Sequence, residues 1–202
     1  METQRGHLAR LDGASAPGRV IFLGSSTFQG LDVSAVSPLG LNLGLGGDTL
    51  HGLAERSAHY RSPRLAQAVM LNIGLNDLMQ QCRQPETTLD RILAQIPAQT
   101  PVFVLGLQRV DTHRHGMRCS GRITQLITDL NTQHAQACAR HSNCSYLLHP
   151  AGPETPPSTS FVQFEDDGIH LSAAGYQELI ERLRAALAGH APELATSALL
   201  HR

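Results

Sequence analysis

The chain has 202 residues, a formal net charge of −1 and a hydrophobic fraction of 41%, which together are typical of one globular domain of medium size. The low net charge gives no electrostatic reason to expect binding to nucleic acid or to an anionic membrane. The sequence contains no lysine, which excludes Schiff-base, pyridoxal phosphate and P-loop chemistry. We find no signal-peptide pattern and no apolar run near the roughly 20 residues that span a bilayer, and we therefore expect a cytoplasmic protein.

The chain has four cysteines, and no two of them form a Cys-x-x-Cys pair. We predict four free thiols in a reducing compartment. Cys138 and Cys144 are close in sequence, on a predicted helix end and the following strand, and whether they pair stays open.

The first 18 residues are polar and contain glycine, alanine and proline, and we expect them to be loosely ordered. After them, short apolar runs alternate with longer amphipathic segments, which predicts alternating strands and helices. The predicted strands are residues 20–23, 40–43, 68–73, 102–107 and 145–148. The predicted helices are residues 27–36, 49–60, 86–96, 119–140 and 172–188. Residues 150–165 predict a long loop beside the functional site, and residues 189–202 predict a tail that packs on a neighbour or frays.

This alternation favours right-handed βαβ units and an α/β fold with a mostly parallel sheet. In such sheets, ligands bind outside the carboxyl ends of the strands. Polar residues that come directly after predicted strands are therefore the candidates for function.

Four segments meet this criterion. Ser26 follows Gly24 at the end of the first strand, where a sharp turn leads into a helix N-terminus with its backbone N–H donors. The glycine-rich residues 42–49 follow the second strand and can present further N–H groups. Asn76, in the Gly-x-Asn-Asp sequence of residues 74–77, follows the third strand and offers an NH₂ donor suited to a developing oxyanion.

A fourth segment lies just before the last predicted helix, which Ser172 can cap. Asp167 comes three residues before His170, so its carboxylate can accept a hydrogen bond from Nδ1–H and leave Nε2 facing a serine. Each segment alone also fits a structural role such as a turn or a capped helix. Together, and in this order, the four indicate a nucleophilic catalytic site.

The four segments resemble the motifs of the SGNH (GDSL-like) hydrolase superfamily, and the resemblance covers residues 19–188. Its most specific parts are Gly-x-Asn-Asp at residues 74–77 and Asp-x-x-His at residues 167–170. The resemblance implies a three-layer α/β/α sandwich, flavodoxin-like, with a five-stranded parallel sheet and helices on both faces. It also implies a carboxylic ester hydrolase that needs no cofactor.

The resemblance carries over residue by residue. Ser26 matches the nucleophile, His170 the general base and Asp167 its orienting acid. The oxyanion hole corresponds to the backbone N–H groups of Ser26 and Gly47 and the side chain of Asn76.

One position departs from the family pattern, because Ser25 stands where the family has an aspartate outside the triad. The departure does not predict inactivation, but it makes two adjacent serines eligible as nucleophile. The family nucleophile is the second residue after the glycine, which favours Ser26.

The substrate is predicted less directly. Gln108 and Arg109 follow the fourth strand, and we expect them to line the substrate site, although a surface role explains Arg109 equally well. An aromatic content of 4% and the lack of a long apolar lid favour a short acyl chain, such as an acetyl ester of a carbohydrate or another small alcohol. The alternatives are an O-acyltransferase with the same triad and a non-catalytic binding module.

A small-molecule ester is the only partner that the sequence predicts, and the oligomeric state is left open. His113, Arg114 and His115 invite a metal interpretation. No set of His, Cys, Asp and Glu has convincing ligand spacing, so we expect no metal.

Overall fold

The computed structural model describes residues 2–111, 119, 121–154 and 163–195. Five strands form one parallel sheet in the order β2-β1-β3-β4-β5. The strands are β1 (Val20–Gly24), β2 (Gly40–Gly44), β3 (Ala68–Asn72), β4 (Val102–Leu105) and β5 (Cys144–Leu147). All five predicted strands are confirmed to within two residues at each end. The three inner strands β1, β3 and β4 are buried along their whole length, while the edge strands β2 and β5 are only partly buried.

The described helices are α1 (Glu2–Ala14), α2 (Ser26–Gln29), α3 (Val33–Val36), α4 (Leu50–Ser57), α5 (Leu75–Gln81), α6 (Asp90–Leu93), α7 (Ile123–Ala139), α8 (Ala173–His190) and α9 (Pro192–Ala195). A 3₁₀ turn, Ser62–Leu65, follows α4.

The sheet lies between two helical layers, since each of its faces has its own apolar cluster. Ile21 and Leu23 of β1 face the cluster built by α1, α4, α5, α6 and α7. Val20 and Phe22 of the same strand face the cluster built by α2, α3, α8 and α9. This is the three-layer α/β/α sandwich that the resemblance implied, and the crossover order brings the carboxyl ends of β1, β2 and β3 together at one edge.

The N-terminal segment differs from the expectation of loose order, because residues 2–14 form α1. Leu8 of α1 is buried in the first cluster. The Asp12 carboxylate accepts hydrogen bonds from the backbone N–H groups of Arg61 and Ser62 at 2.9 and 2.8 Å. The contacts of Asp12 with a distant segment thus stabilise α1, a helix that its own apolar periodicity predicts poorly. At the other end α8 runs to His190, and residues 196–202 of the predicted tail lie outside the described residues.

The prediction of four free thiols is wrong. Cys82 forms a disulfide with Cys119, and Cys138 forms one with Cys144. The first pair is 37 residues apart in sequence, and the fold brings its Cα atoms to 5.4 Å. No local spacing pattern could have predicted that pairing.

Candidate active site

The turn after β1 holds the two adjacent serines in different environments. A Cβ at Gly24 would overlap the carbonyl oxygen of Asn72 on the neighbouring strand, so only glycine fits there. Ser25 is buried, with 3% of its surface exposed, and its N–H donates to Asn72 O at 3.2 Å. Ser26 begins α2 and is half-buried. Of the two serines, Ser26 is therefore the one that a substrate can reach.

The glycine-rich loop after β2 lies against this turn. The Gly46 N–H donates to Gln29 Oε1 at 2.5 Å, and a Cβ at Gly46 would lie 4.0 Å from Ser26 Cβ. Gly47 has a φ of +77°, in the left-handed region, while a Cβ there would meet no atom within 4 Å. The backbone conformation, and not the space, therefore requires glycine at position 47.

Asn76 lies in the first turn of α5, which begins after Gly74. Its Nδ2 donates to the carbonyl oxygen of Asp48 at 2.9 Å, so the amide is oriented toward the Gly47 loop. The amide nitrogen carries a second proton that this bond does not use. Gly74 has a φ of +118°, and a Cβ there would come within 2.8 Å of Leu130 Cδ2 on α7. The glycine thus lets α7 pack closely behind the loop that carries Asn76.

A buried ion pair supports this side of the site. Arg56 Nε lies 2.7 Å from Asp48 Oδ2, and the two side chains are 7% and 1% exposed. The same guanidinium donates to Gly24 O at 3.2 Å and to the Tyr60 hydroxyl at 3.2 Å. Arg56 therefore ties the glycine-rich loop to the serine turn. Sequence reasoning missed Arg56, since nothing in its local pattern separates it from a surface arginine of α4.

Asp77 makes a second connection on this side. Its Oδ2 accepts a hydrogen bond from the Leu50 N–H at 3.0 Å, at the start of α4. Burial raises the pKa of Asp77 from 3.8 to about 6, although the Leu50 N–H opposes the rise. Asp77 is the last residue of the Gly-x-Asn-Asp motif, but only the fold shows that it accepts a hydrogen bond from the Leu50 N–H.

Asp167 and His170 are hydrogen-bonded to each other, as their spacing in the sequence allows. Asp167 Oδ2 lies 2.5 Å from His170 Nδ1, and Asp167 Oδ1 accepts from the N–H groups of Ile169 and His170 at 2.8 and 2.9 Å. Partial burial acts to raise the pKa of Asp167, but the bonds from His170 and from the two N–H groups outweigh it and lower the pKa to about 2. The ionised carboxylate selects the Nδ1–H tautomer, so Nε2 is left as a hydrogen-bond acceptor.

A short hairpin-like loop carries this pair. The bridge between Phe164 and Leu171 closes it, and the Glu165 N–H donates to His170 O at 2.9 Å. Gly168 supplies a φ of +69° at its tip. The His170 and Asp167 side chains are 50% and 40% exposed. The pair therefore faces solvent and is held mainly by its own hydrogen bonds.

Gln108 and Arg109 differ in their surroundings. Gln108 is buried, 2% exposed, and its amide bonds to Thr27 and to the carbonyl of Ile169. The Arg109 N–H donates to Ala151 O at 2.8 Å. These contacts bring Gln108, but not Arg109, to the neighbours of Ser26 and His170.

Arg109 acts on a different group. Burial, with a smaller contribution from the charges of Arg109 and Arg182, lowers the pKa of His149 to about 3. The charge of Arg109 therefore acts on His149.

The metal prediction concerns residues 113–115, which lie outside the described part of the chain. Within the described ranges, no group of three or more His, Cys, Asp and Glu side chains could hold a metal ion. Among the helices that the structure describes, none is long and apolar enough to cross a membrane.

A parallel α/β/α sandwich with a serine turn, an amide donor and an Asp–His pair at one edge defines the class of SGNH hydrolases. The sequence profile of the GDSL-like Lipase/Acylhydrolase family matches residues 22–178, and the chain belongs to that family. It is accordingly a carboxylic ester hydrolase.

Solved structures share the fold at low sequence identity. A protein from Streptococcus pneumonia matches with a TM-score of 0.79 and 19% identity, over 92% of each chain. A GDSL-like lipase from Bacteroides thetaiotaomicron matches with a TM-score of 0.72 and 18% identity, over 92% of this chain and 98% of that one. A family 3 carbohydrate esterase from Clostridium thermocellum matches with a TM-score of 0.64 and 16% identity, over 88% and 98%. No curated protein matches the sequence.

Proposed function

We propose that this protein is a serine esterase that hydrolyses short-chain acyl esters, such as acetyl esters of carbohydrates, through an acyl-enzyme on Ser26. The observation that carries the proposal is the 2.5 Å contact between Asp167 Oδ2 and His170 Nδ1. It leaves Nε2 free to accept a proton, on the edge of the sheet where the turn with Ser26 lies.

The reaction has two halves. His170 Nε2 takes the proton of the Ser26 hydroxyl as Oγ attacks the ester carbonyl, and the oxyanion accepts bonds from the N–H groups of Ser26 and Gly47 and from Asn76 Nδ2. The tetrahedral intermediate expels the alcohol, which takes the proton from His170. Water then attacks the acyl-enzyme with His170 again as base, which releases the acid and restores Ser26.

A polar cleft near the glycine-rich loop favours a polar alcohol. The cleft has a volume of about 360 Å³ and is lined by Thr49 and Asp77, which are close in sequence to Gly47 and Asn76, but by none of the five proposed site residues themselves. Its other lining side chains are mostly polar and include His51, Gln80 and Gln81. Hydroxyl and amide groups suit a carbohydrate better than an alkyl chain. A carbohydrate esterase among the proteins of similar fold agrees with this choice.

The two disulfides bear on where the enzyme works. Disulfides persist in oxidising compartments and are rare in the cytoplasm. We therefore propose an oxidising compartment in place of the cytoplasm expected from the sequence.

The first test compares the two adjacent serines. Ser26→Ala is expected to abolish hydrolysis of 4-nitrophenyl acetate and covalent labelling by a fluorophosphonate, while Ser25→Ala retains both. Circular dichroism controls for folding. Retained turnover in folded Ser26→Ala would exclude Ser26 as the nucleophile.

The second test concerns the substrate. We expect kcat/KM to be highest for acetyl esters in a series of 4-nitrophenyl esters of increasing chain length, and acetylated sugars to be deacetylated. A maximum at long chains would contradict the short-chain proposal. Transfer of the acetyl group to an added sugar, in place of water, would show that the same triad serves an acyltransferase.

A further inference from the structure

The nucleophile and the base come from segments far apart in sequence, and a single side chain connects them. Gln108 Nε2 donates to Thr27 Oγ1 at 3.2 Å and to Ile169 O at 3.3 Å. Thr27 follows Ser26 in α2, and Ile169 precedes His170. Because a carbonyl oxygen can only accept, the atom that faces Ile169 must be Nε2, which sets the orientation of the amide.

The peptide group between Ile169 and His170 is thereby held on both sides. Its carbonyl accepts from Gln108, and its N–H donates to Asp167 Oδ1 at 2.9 Å. Rotation of this peptide would change the direction of the Cα–Cβ bond of His170. The two hydrogen bonds together therefore fix the position of Cβ, from which the imidazole ring projects. Asp167 orients the ring within its loop, and Gln108 connects the loop to the serine turn.

The backbone next to Gln108 is also held in place by hydrogen bonds. The Leu107 N–H donates to Asn131 Oδ1 at 2.7 Å, and Asn131 Nδ2 donates back to Leu107 O at 3.4 Å. Asn131 lies in α7 and is 2% exposed, as is Gln108. The backbone of Leu107, directly before Gln108, is thus fixed by hydrogen bonds to α7.

From this arrangement we infer that Gln108 is a positioning residue that sets the separation between Ser26 and His170, and that it is not a substrate contact. The inference rests on the proposed triad. The two hydrogen bonds of Gln108 are long, so each contributes little to the free energy of unfolding. We therefore expect Gln108 to act on the geometry of proton transfer. A displacement near 1 Å can lower turnover by about 10²-fold.

The test compares Gln108→Ala with Gln95→Ala. Gln95 is a matched control, since its amide also joins a hydroxyl and a carbonyl, Ser57 Oγ at 2.7 Å and Ala54 O at 2.9 Å. We expect Gln108→Ala to lower kcat roughly 10- to 10²-fold with KM changed less than about threefold, and Gln95→Ala to change neither. Equal kcat losses in the two variants, or unchanged kcat in Gln108→Ala, would overturn the inference.

Variants of Thr27 test the same connection from its other end without altering Gln108. Thr27→Val removes the hydroxyl and keeps the shape, and we expect it to lower kcat. Thr27→Ser restores the hydroxyl and recovers most of the activity. In the double variant Gln108→Ala/Thr27→Val, the losses are expected not to add, because both changes break one link. Additive losses, or a loss confined to KM, would instead assign Gln108 to substrate binding.

Ser26→Ala separates the two proposals. If folded Ser26→Ala is inactive while Gln108→Ala matches the wild type, only the positioning role fails. If Ser26→Ala retains activity, the triad itself is wrong, and the role of Gln108 falls with it.

Discussion

The two halves of the proposed site are held by different forces. The oxyanion half, with Gly47 and Asn76, rests on strand ends and on the buried pair of Asp48 and Arg56, whose side chains are 1% and 7% exposed. The base half, with Asp167 and His170, lies on a loop whose two side chains are 40% and 50% exposed. Burial stabilises the first half and local hydrogen bonds stabilise the second. We therefore expect changes in the oxyanion half to affect folding strongly, and changes in the base half to affect turnover more than folding.

The buried ion pair gives the largest expected effect. Arg56→Met leaves Asp48 charged and buried, which for such pairs lowers the free energy of unfolding by about 3–5 kcal/mol. Urea unfolding at neutral pH measures the loss. The matched control is Arg91→Met, since Arg91 and Glu55 are 53% and 54% exposed and the expected loss is below about 1 kcal/mol. Similar losses in the two variants would refute the idea that burial dominates this half.

The disulfides should differ in strength with the length of chain that each closes. Chain entropy predicts that losing Cys82–Cys119, which spans 37 residues, lowers the free energy of unfolding by about 4 kcal/mol. Losing Cys138–Cys144, which spans 6 residues, lowers it by about 2 kcal/mol. Paired Cys→Ser variants and chemical denaturation measure the two values. Cys82 directly follows α5, the helix of Asn76, so the larger loss falls on the oxyanion half. The reverse order of losses would count against the comparison.

In the base half, Asp167→Asn is expected to lower kcat by about 10²-fold or more, because an amide no longer selects the Nδ1–H tautomer of His170. The thermal midpoint should fall only modestly, since both side chains are about half exposed and solvent screens the stabilising contribution of the charge. Ester hydrolysis and a melting curve on the same sample give the two readouts. A large drop in the midpoint with unchanged kcat would assign Asp167 to folding.

The smallest expected effect is a difference in pH dependence. The pKa of Asp77 is raised from 3.8 to about 6 by burial, so the folded state takes up protons more readily than the unfolded state between those values. Stability from this group is present below pH 3.8 and is lost as the pH rises through about 6. Asp77→Asn keeps an acceptor for Leu50 N–H, and we expect its stability relative to the wild type to rise by about 2 kcal/mol from pH 4 to pH 7.

Asp167 serves as a control, because its contribution to stability changes with pH in the opposite direction. Its pKa is lowered to about 2, so its contribution is present above 3.8 and is lost as the pH falls through about 2. Unfolding of both variants at several pH values distinguishes the two behaviours. Parallel curves for Asp77→Asn and the wild type would show that Asp77 is not held in a low-dielectric environment.

Much of the fold was predictable because it depends on local patterns. The strands were found from continuous apolar runs, and α7 and α8 from helical spacing of apolar residues. α5 was missed because its first turn contains Asn76 and Asp77 after Gly74, which are turn-forming residues. α1 was missed because Gly6 and Gly13 weaken its helical pattern, and a remote contact of Asp12 stabilises it.

The residues of the proposed site could be found from local motifs, since Ser26, Asn76, Asp167 and His170 each follow a signal within a few residues of chain. The groups that hold these residues in place became visible only in the fold. The contacts of Arg56 with Gly24, of Gln108 with Ile169 and of Cys82 with Cys119 each join residues more than thirty positions apart. The physical reason is that such contacts depend on how the layers pack, and the periodicity of a single segment carries no information about its remote partner.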